Sequence, residues 1–228
     1  MVCNALFFIL VIVSCSHNEA KETLLAKDKV RLTLDEVDLS KLRLEQTFFS
    51  NGLTKTYGGV LDGIKHGYWK YFYENENLSS QGEYFLNLKN GWWEEFNANK
   101  SKKAEGRYED GEKSSLWIYY NDLGKLSQEV NYKKGIKEGV SASYFSNEKL
   151  KEKGSYVNGL KDGWFLFYNE DGSLREECSY LRGLKNGGCK LYHEGYLFNE
   201  GTYQDDKKTG IWKTYNSEGK ISLEIDEN

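Results

Sequence analysis

A glycine-and-aromatic pattern returns every 24 residues along most of this chain, and a repeat that short has room for one hairpin per unit and little else. The units start at Gly58, Gly82, Gly106, Val130, Gly154, Cys178 and Gly201, the last step being 23 residues because one is missing between Tyr192 and Gly195. Two residues after each start stand Val60, Tyr84, Tyr108, Tyr132, Tyr156, Tyr180 and Tyr203. Nine after it stand Gly67, Gly91, Ser115, Gly139, Gly163, Gly187 and Gly210. Eleven after it come Trp69, Trp93, Trp117, Ser141, Phe165, Cys189 and Trp212, and fourteen after it an unbroken Phe/Tyr series from Phe72 to Tyr215. A second turn glycine (Gly124, Gly172, Gly195, Gly219) precedes a Leu or Ile.

Each unit reads as two antiparallel strands. One strand, exemplified by residues 174–181, runs from the Leu through the unit glycine past the Tyr, and period-2 alternation places Leu, Gly and Tyr on one face. The turn is read as Gly-x-x-x-Gly, as in 159–163, glycine entering positive φ without steric cost. The return strand is Trp-x-x-Tyr, as in 212–215. A glycine opposite an aromatic lets the ring lie on the backbone, and each cross-strand aromatic pair contributes about 0.2–1 kcal/mol. The composition agrees: 34 aromatic residues from 17 Tyr, 11 Phe and 6 Trp, 23 Gly and no Pro suit many short strands joined by glycine turns.

These residues resemble the bacterial variant of the MORN repeat, over residues 58–224. The resemblance implies an all-β fold: an elongated single-layer antiparallel β-meander built from tandem 24-residue hairpins, its fourteen strands spanning roughly 65 Å. An earlier half-unit keeps register, with Phe48 and Gly52 lying 24 residues before Phe72 and Glu76. The organisation is therefore a signal peptide (1–14), a lipid-anchored tether and lead-in segment (15–40), a half-repeat (41–57) and seven MORN-like repeats (58–228). Proteins of this kind are often labelled YwqK family antitoxins of toxin–antitoxin systems.

The leader gives an address. Ala5 to Val13 is a nine-residue apolar run, shorter than the about 20 residues a membrane-spanning helix needs and of the length of a signal-peptide core. It ends Ile12-Val13-Ser14-Cys15, which resembles a lipobox and implies cleavage before Cys15 and lipidation of its sulfur. Ser16 at the next position favours the outer membrane of a bacterial envelope. The first residues carry no Lys or Arg, a departure from the usual signal peptide.

Little points to catalysis. Formal charge is −4 and mean hydropathy −0.72, so neither nucleic-acid binding nor a multi-span membrane protein is expected. There is no phosphate loop or nucleophile elbow. His17, His66 and His193 stand alone and are read as solvated. Lys65, Lys89, Lys137, Lys161 and Lys185 recur near the turns, read as a solvated edge or as a basic stripe for anionic partners. Small residues at 140–143 interrupt the aromatic row and leave a gap or a bend in it, read as a locally weaker repeat or as a contact pocket. Cys178 and Cys189 occupy the Gly and Trp slots of the sixth unit. A diagonal placement would hold them too far apart to bond, so a disulfide there needs a register shift or bulge. No cofactor or metal is expected. The expected function is a non-catalytic, membrane-anchored scaffold for protein partners, with Trp69, Trp93, Trp117, Phe165 and Trp212 as candidate contact aromatics. Carbohydrate binding through the aromatic rows and an antitoxin role are the alternatives.

Overall fold

The computed structural model describes residues 38–227. Cys15, the leader and most of the tether lie outside the described residues. After a short 3-10 turn at Leu39–Lys41 the chain forms strands β1 Arg43–Phe48, β2 Thr54–Leu61, β3 Ile64–Phe72, β4 Leu78–Phe85, β5 Leu88–Phe96 and β6 Lys102–Glu109. It continues with β7 Glu112–Tyr120, β8 Leu126–Lys133, β9 Ile136–Tyr144, β10 Leu150–Val157, and one interrupted return strand, β11 Leu160–Lys161 with β12 Gly163–Tyr168. The rest is β13 Leu174–Leu181, β14 Leu184–His193, β15 Tyr196–Gln204, β16 Lys207–Tyr215 and β17 Ile221–Asp226.

Each strand pairs antiparallel with its sequence neighbours, giving one open sheet with β1 and β17 at its edges. The expected all-β meander is what forms. β1 is the return strand of the earlier half-unit: Phe48 faces Thr54 as Phe72 faces Leu78, and Gly52 and Glu76 share positive φ. Among the described residues no helix is long and apolar enough to cross a membrane.

The hairpin turn is tighter than Gly-x-x-x-Gly. Leu61 pairs Ile64 across Asp62 (φ 48°) and Gly63 (φ 80°), a two-residue turn with both residues left-handed, as type I′ requires. Asp110-Gly111 and Asn158-Gly159 do the same. The second glycine of the motif lies inside the return strand, where the ladder register shifts. Return strands therefore start well before the Trp, as β16 does at Lys207. In the sixth unit Glu194-Gly195 makes a second two-residue turn, with His193 opposite Tyr196, and this absorbs the missing residue.

A second shift, between Tyr144 and Leu150 on one side and Ser143 and Glu152 on the other, turns the Leu away from the glycine face. Leu150 lines the opposite face of the sheet with Val140, Trp164 and Tyr168, which corrects the expected Leu–Gly–Tyr alignment.

Most of the core is a row crossing the sheet. It alternates unit glycine and ring: Gly58, Trp69, Gly82, Trp93, Gly106 and Trp117 face one another in succession. Each ring lies flat on the glycine of its own hairpin, so that a Cβ built on Gly58, Gly82 or Gly106 would meet indole carbons at 2.2–2.6 Å. The indole Nε1 donates to the carbonyl one residue beyond that glycine, from Trp69 to Gly59 (2.7 Å) and from Trp117 to Arg107 (2.9 Å). The ring thus buries its apolar surface while its one donor is paired.

Candidate interaction surface

The five rings singled out from sequence belong to this core. Trp69, Trp93, Trp117, Phe165 and Trp212 are 0–2% exposed, so they are not contact aromatics. The correction has a plain cause: neighbouring tyrosines close on them edge-on. Trp69, Tyr84, Trp93, Tyr108 and Trp117 form a chain of ring pairs with centroids 5.0–6.1 Å apart. Phe165 sits likewise between Tyr156 and Tyr180, and Trp212 beside Tyr203.

The lysines roof the same face. The ammonium of Lys113 stands 3.9 Å from the Trp117 ring centre, that of Lys89 4.0 Å from Trp93, and that of Lys65 4.5 Å from Trp69. Such geometry is favourable cation–π contact, and the aliphatic stems cover the rings. Burial lowers the pKa of all three lysines. Lys161 and Lys185 add ion pairs to Glu152 (2.8 Å) and Glu176 (2.7 Å). These side chains are therefore neither a solvated edge nor a free basic stripe. His66 is also inside, 7% exposed, its ring 5.5 Å from that of Phe85, which corrects its reading as solvated.

Cys178 and Cys189 face each other directly across β13 and β14, with Cα atoms 4.1 Å apart, and are joined as a disulfide. The register shift between Cys178 and Tyr180 supplies the displacement that such a bridge needs. Together with Glu176 the sulfurs lie close enough to hold a metal, but the bond consumes the thiolates a metal would require.

The exposed apolar row runs on the other face, one residue before the buried rings. Tyr68, Trp92, Leu116, Val140, Trp164 and Ile211 are 38–56% exposed. From Tyr68 to Trp164 they stand on alternate strands, about 10 Å apart at sheet spacing, while Gly188 on β14 leaves the next position without a side chain, so Ile211 lies about 20 Å beyond Trp164. Their cross-strand partners are Glu83, Arg107, Asn131, Ser155, Ser179 and Asp226. Shallow grooves of about 360 and 580 Å³ lie along this row between Leu116, Val140 and Trp164. Beside it Tyr120 and Tyr215 donate hydrogen bonds to Glu105 and to Glu200 (2.6 Å), which fixes the polar flank. The sequence held a signal for this row. Apolar residues at both the tenth and eleventh positions place bulk on both faces, and only the face with glycines opposite can bury it.

Four stretches of the chain, residues 65–85, 115–134, 137–158 and 161–181, match the family model described as the MORN repeat variant. Each matched stretch spans a return strand and the next unit's first strand, as in β3 and β4, where Trp69 faces Gly82. No curated protein matches the chain.

Proposed function

We propose that this protein is a non-catalytic docking scaffold, tethered to a bacterial envelope through lipid on Cys15, whose contact surface for protein partners is the row Tyr68, Trp92, Leu116, Val140, Trp164 and Ile211. The observation that carries the reading is that row: large apolar side chains repeated at fixed spacing from Tyr68 to Trp164, and again at Ile211, on an open face, flanked by paired polar groups. Exposed aromatics with polar surroundings are favoured interface anchors. The lysine-roofed face offers a partner much less, because outside the fourth unit its rings already contact one another and its lysines are engaged.

The test is affinity capture from envelope extracts by the wild-type chain and by W92S/W164S. Both tryptophans are about half exposed, so folding should survive and circular dichroism should be unchanged. Proteins retained by the wild type and lost by the variant support the surface; an identical set from both sinks it. Membrane fractionation with mass spectrometry of the mature N-terminus tests the anchor. Recovery of the chain in the cytosol with its first residues intact would overturn the envelope reading and leave the antitoxin alternative.

A further inference from the structure

The ring row on the lysine-roofed face lacks its ring in the sixth unit, where the Cys178–Cys189 disulfide fills the place, and in the fourth, where a cavity is left. Ser141 takes the slot of the buried rings, and Ser143 takes that of Tyr71 and Tyr119. Val130 replaces the unit glycine and faces both Trp117 and Ser141. A cavity of about 150 Å³ results, bounded by Gln128, Val130, Lys137, Ser141, Ser143 and Tyr156. That is about the size of an engineered protein cavity that holds a benzene ring.

Two side chains there lack what their counterparts have. Ser141 is 9% exposed, and among the described residues its Oγ has no hydrogen-bond partner. A buried hydroxyl left so is unfavourable unless something fills the site. Lys137 is the roofing lysine of this unit. Lys65, Lys89, Lys113, Lys161 and Lys208 each stand within 4.5 Å of their own unit's ring, and Lys185 has Glu176. Lys137 reaches only the Tyr156 ring, at 5.0 Å, and among the described residues it makes no ion pair. Glu152, the carboxylate bordering the cavity, is held by Lys161 at 2.8 Å.

We infer that this cavity is a binding site for a carboxylate carried on a flat body of about one ring. The carboxylate accepts from the Lys137 ammonium and the Ser141 hydroxyl, with the Gln128 amide and Ser143 hydroxyl as further donors. The flat body takes the space between Val130 and Tyr156 that an indole fills in the neighbouring units. The site lies on the face opposite the proposed docking row and stands or falls independently of it.

The probe is benzoate, titrated into the full chain by calorimetry and saturation-transfer NMR, with benzyl alcohol as the uncharged comparison. Benzoate should bind saturably, with benzyl alcohol about tenfold weaker or worse, the cost of one charge-assisted hydrogen bond. K137Q should weaken benzoate by a similar factor, and S141A by less. V130G/S141W restores the glycine–tryptophan pair of the other units and should abolish binding by filling the cavity. Absence of saturable benzoate binding overturns the inference, as does equal binding of benzyl alcohol or undiminished binding by K137Q. N-acetyl-phenylalanine separates the two sources of such a group: tighter binding than benzoate identifies a protein chain terminus, weaker binding a free small molecule.

Discussion

At the scale of single residues, the fold rests on an exchange of volume between two positions eleven apart. Where the ring is Trp or Phe its opposite is glycine; where the ring is lost the opposite residue grows, to Val130 against Ser141 and Cys178 against Cys189. Gly82→Ala should therefore destabilise by about 2–3 kcal/mol, since its methyl would meet the Trp93 ring at 2.4 Å in a row with no slack. Gly188→Ala is the control. Its added carbon meets only the tip of exposed Trp164 at 3.3 Å, and the cost in a urea titration should be near zero. Equal costs would mean that ring-on-glycine packing is not what holds the row. The same burial sets the alkaline limit. It pushes Tyr108 up to about 12 and raises Tyr71, Tyr84 and Tyr119, against about 10 in an unfolded chain. A raised folded pKa gives stability that is intact below the unfolded value and lost as pH climbs through the folded one. Lys65, Lys89 and Lys113 act oppositely. Burial lowers their pKa, so releasing their protons before an unfolded lysine would adds stability as pH rises toward 10. The urea midpoint should hold or rise to about pH 10 and then fall steeply toward 12, in step with tyrosinate absorbance. A midpoint that falls well below pH 9 would contradict this order.

At the scale of the hairpin, the strand that carries the unit glycine was legible in its span, which coincides with β13, but not in the bulge that turns its Leu to the other face. The turn was not. Both glycines of Gly-x-x-x-Gly have positive φ, but only the first turns the chain; the second bends the return strand. Asp62-Gly63 and Asn158-Gly159 did carry the local signal, being the dipeptides that two-residue turns favour. Burial of the rings was illegible from alternation alone, because period 2 assigns a face without saying which face closes. Ser115 isolates the in-strand glycine's contribution. It holds φ 60° where Gly67, Gly91, Gly139, Gly163, Gly187 and Gly210 hold 64–100°. An L-residue there costs about 1–2 kcal/mol, partly offset by the 0.5–1 kcal/mol that glycine loses on ordering. Ser115→Gly should thus raise stability by about 0.5–1 kcal/mol in chemical denaturation, and a loss would show that the Ser115 side chain supports the strand.

At the scale of the whole molecule, a one-layer array has no common centre, so its stability is a sum over neighbouring units and its weakest junction decides where it opens. The hydrogen-bonded ladder runs on through every unit, but the side-chain row does not. One cluster joins Trp93, Ala104, Tyr108 and Trp117 with Tyr71, Tyr84, Tyr119 and Tyr132. Another joins Cys178, Cys189 and Trp212 with Tyr180, Leu191 and Tyr203. Between them the fourth unit offers Val130, Ser141 and a cavity in place of stacked rings. Backbone bonds alone are poorly protected where apolar contacts thin out, because local opening there exposes little surface. Hydrogen exchange should therefore find β8 and β9 less protected than β5 to β7 on one side and β13 to β16 on the other. V130G/S141W, by supplying the missing ring and the glycine beneath it, should bring β8 and β9 up to their neighbours. Protection in the wild type that is level across β8 and β9 would mean that the ladder alone carries cooperativity. The row of rings would then be packing without mechanical consequence, and the interruption in the fourth unit would be left with ligand binding as its one role.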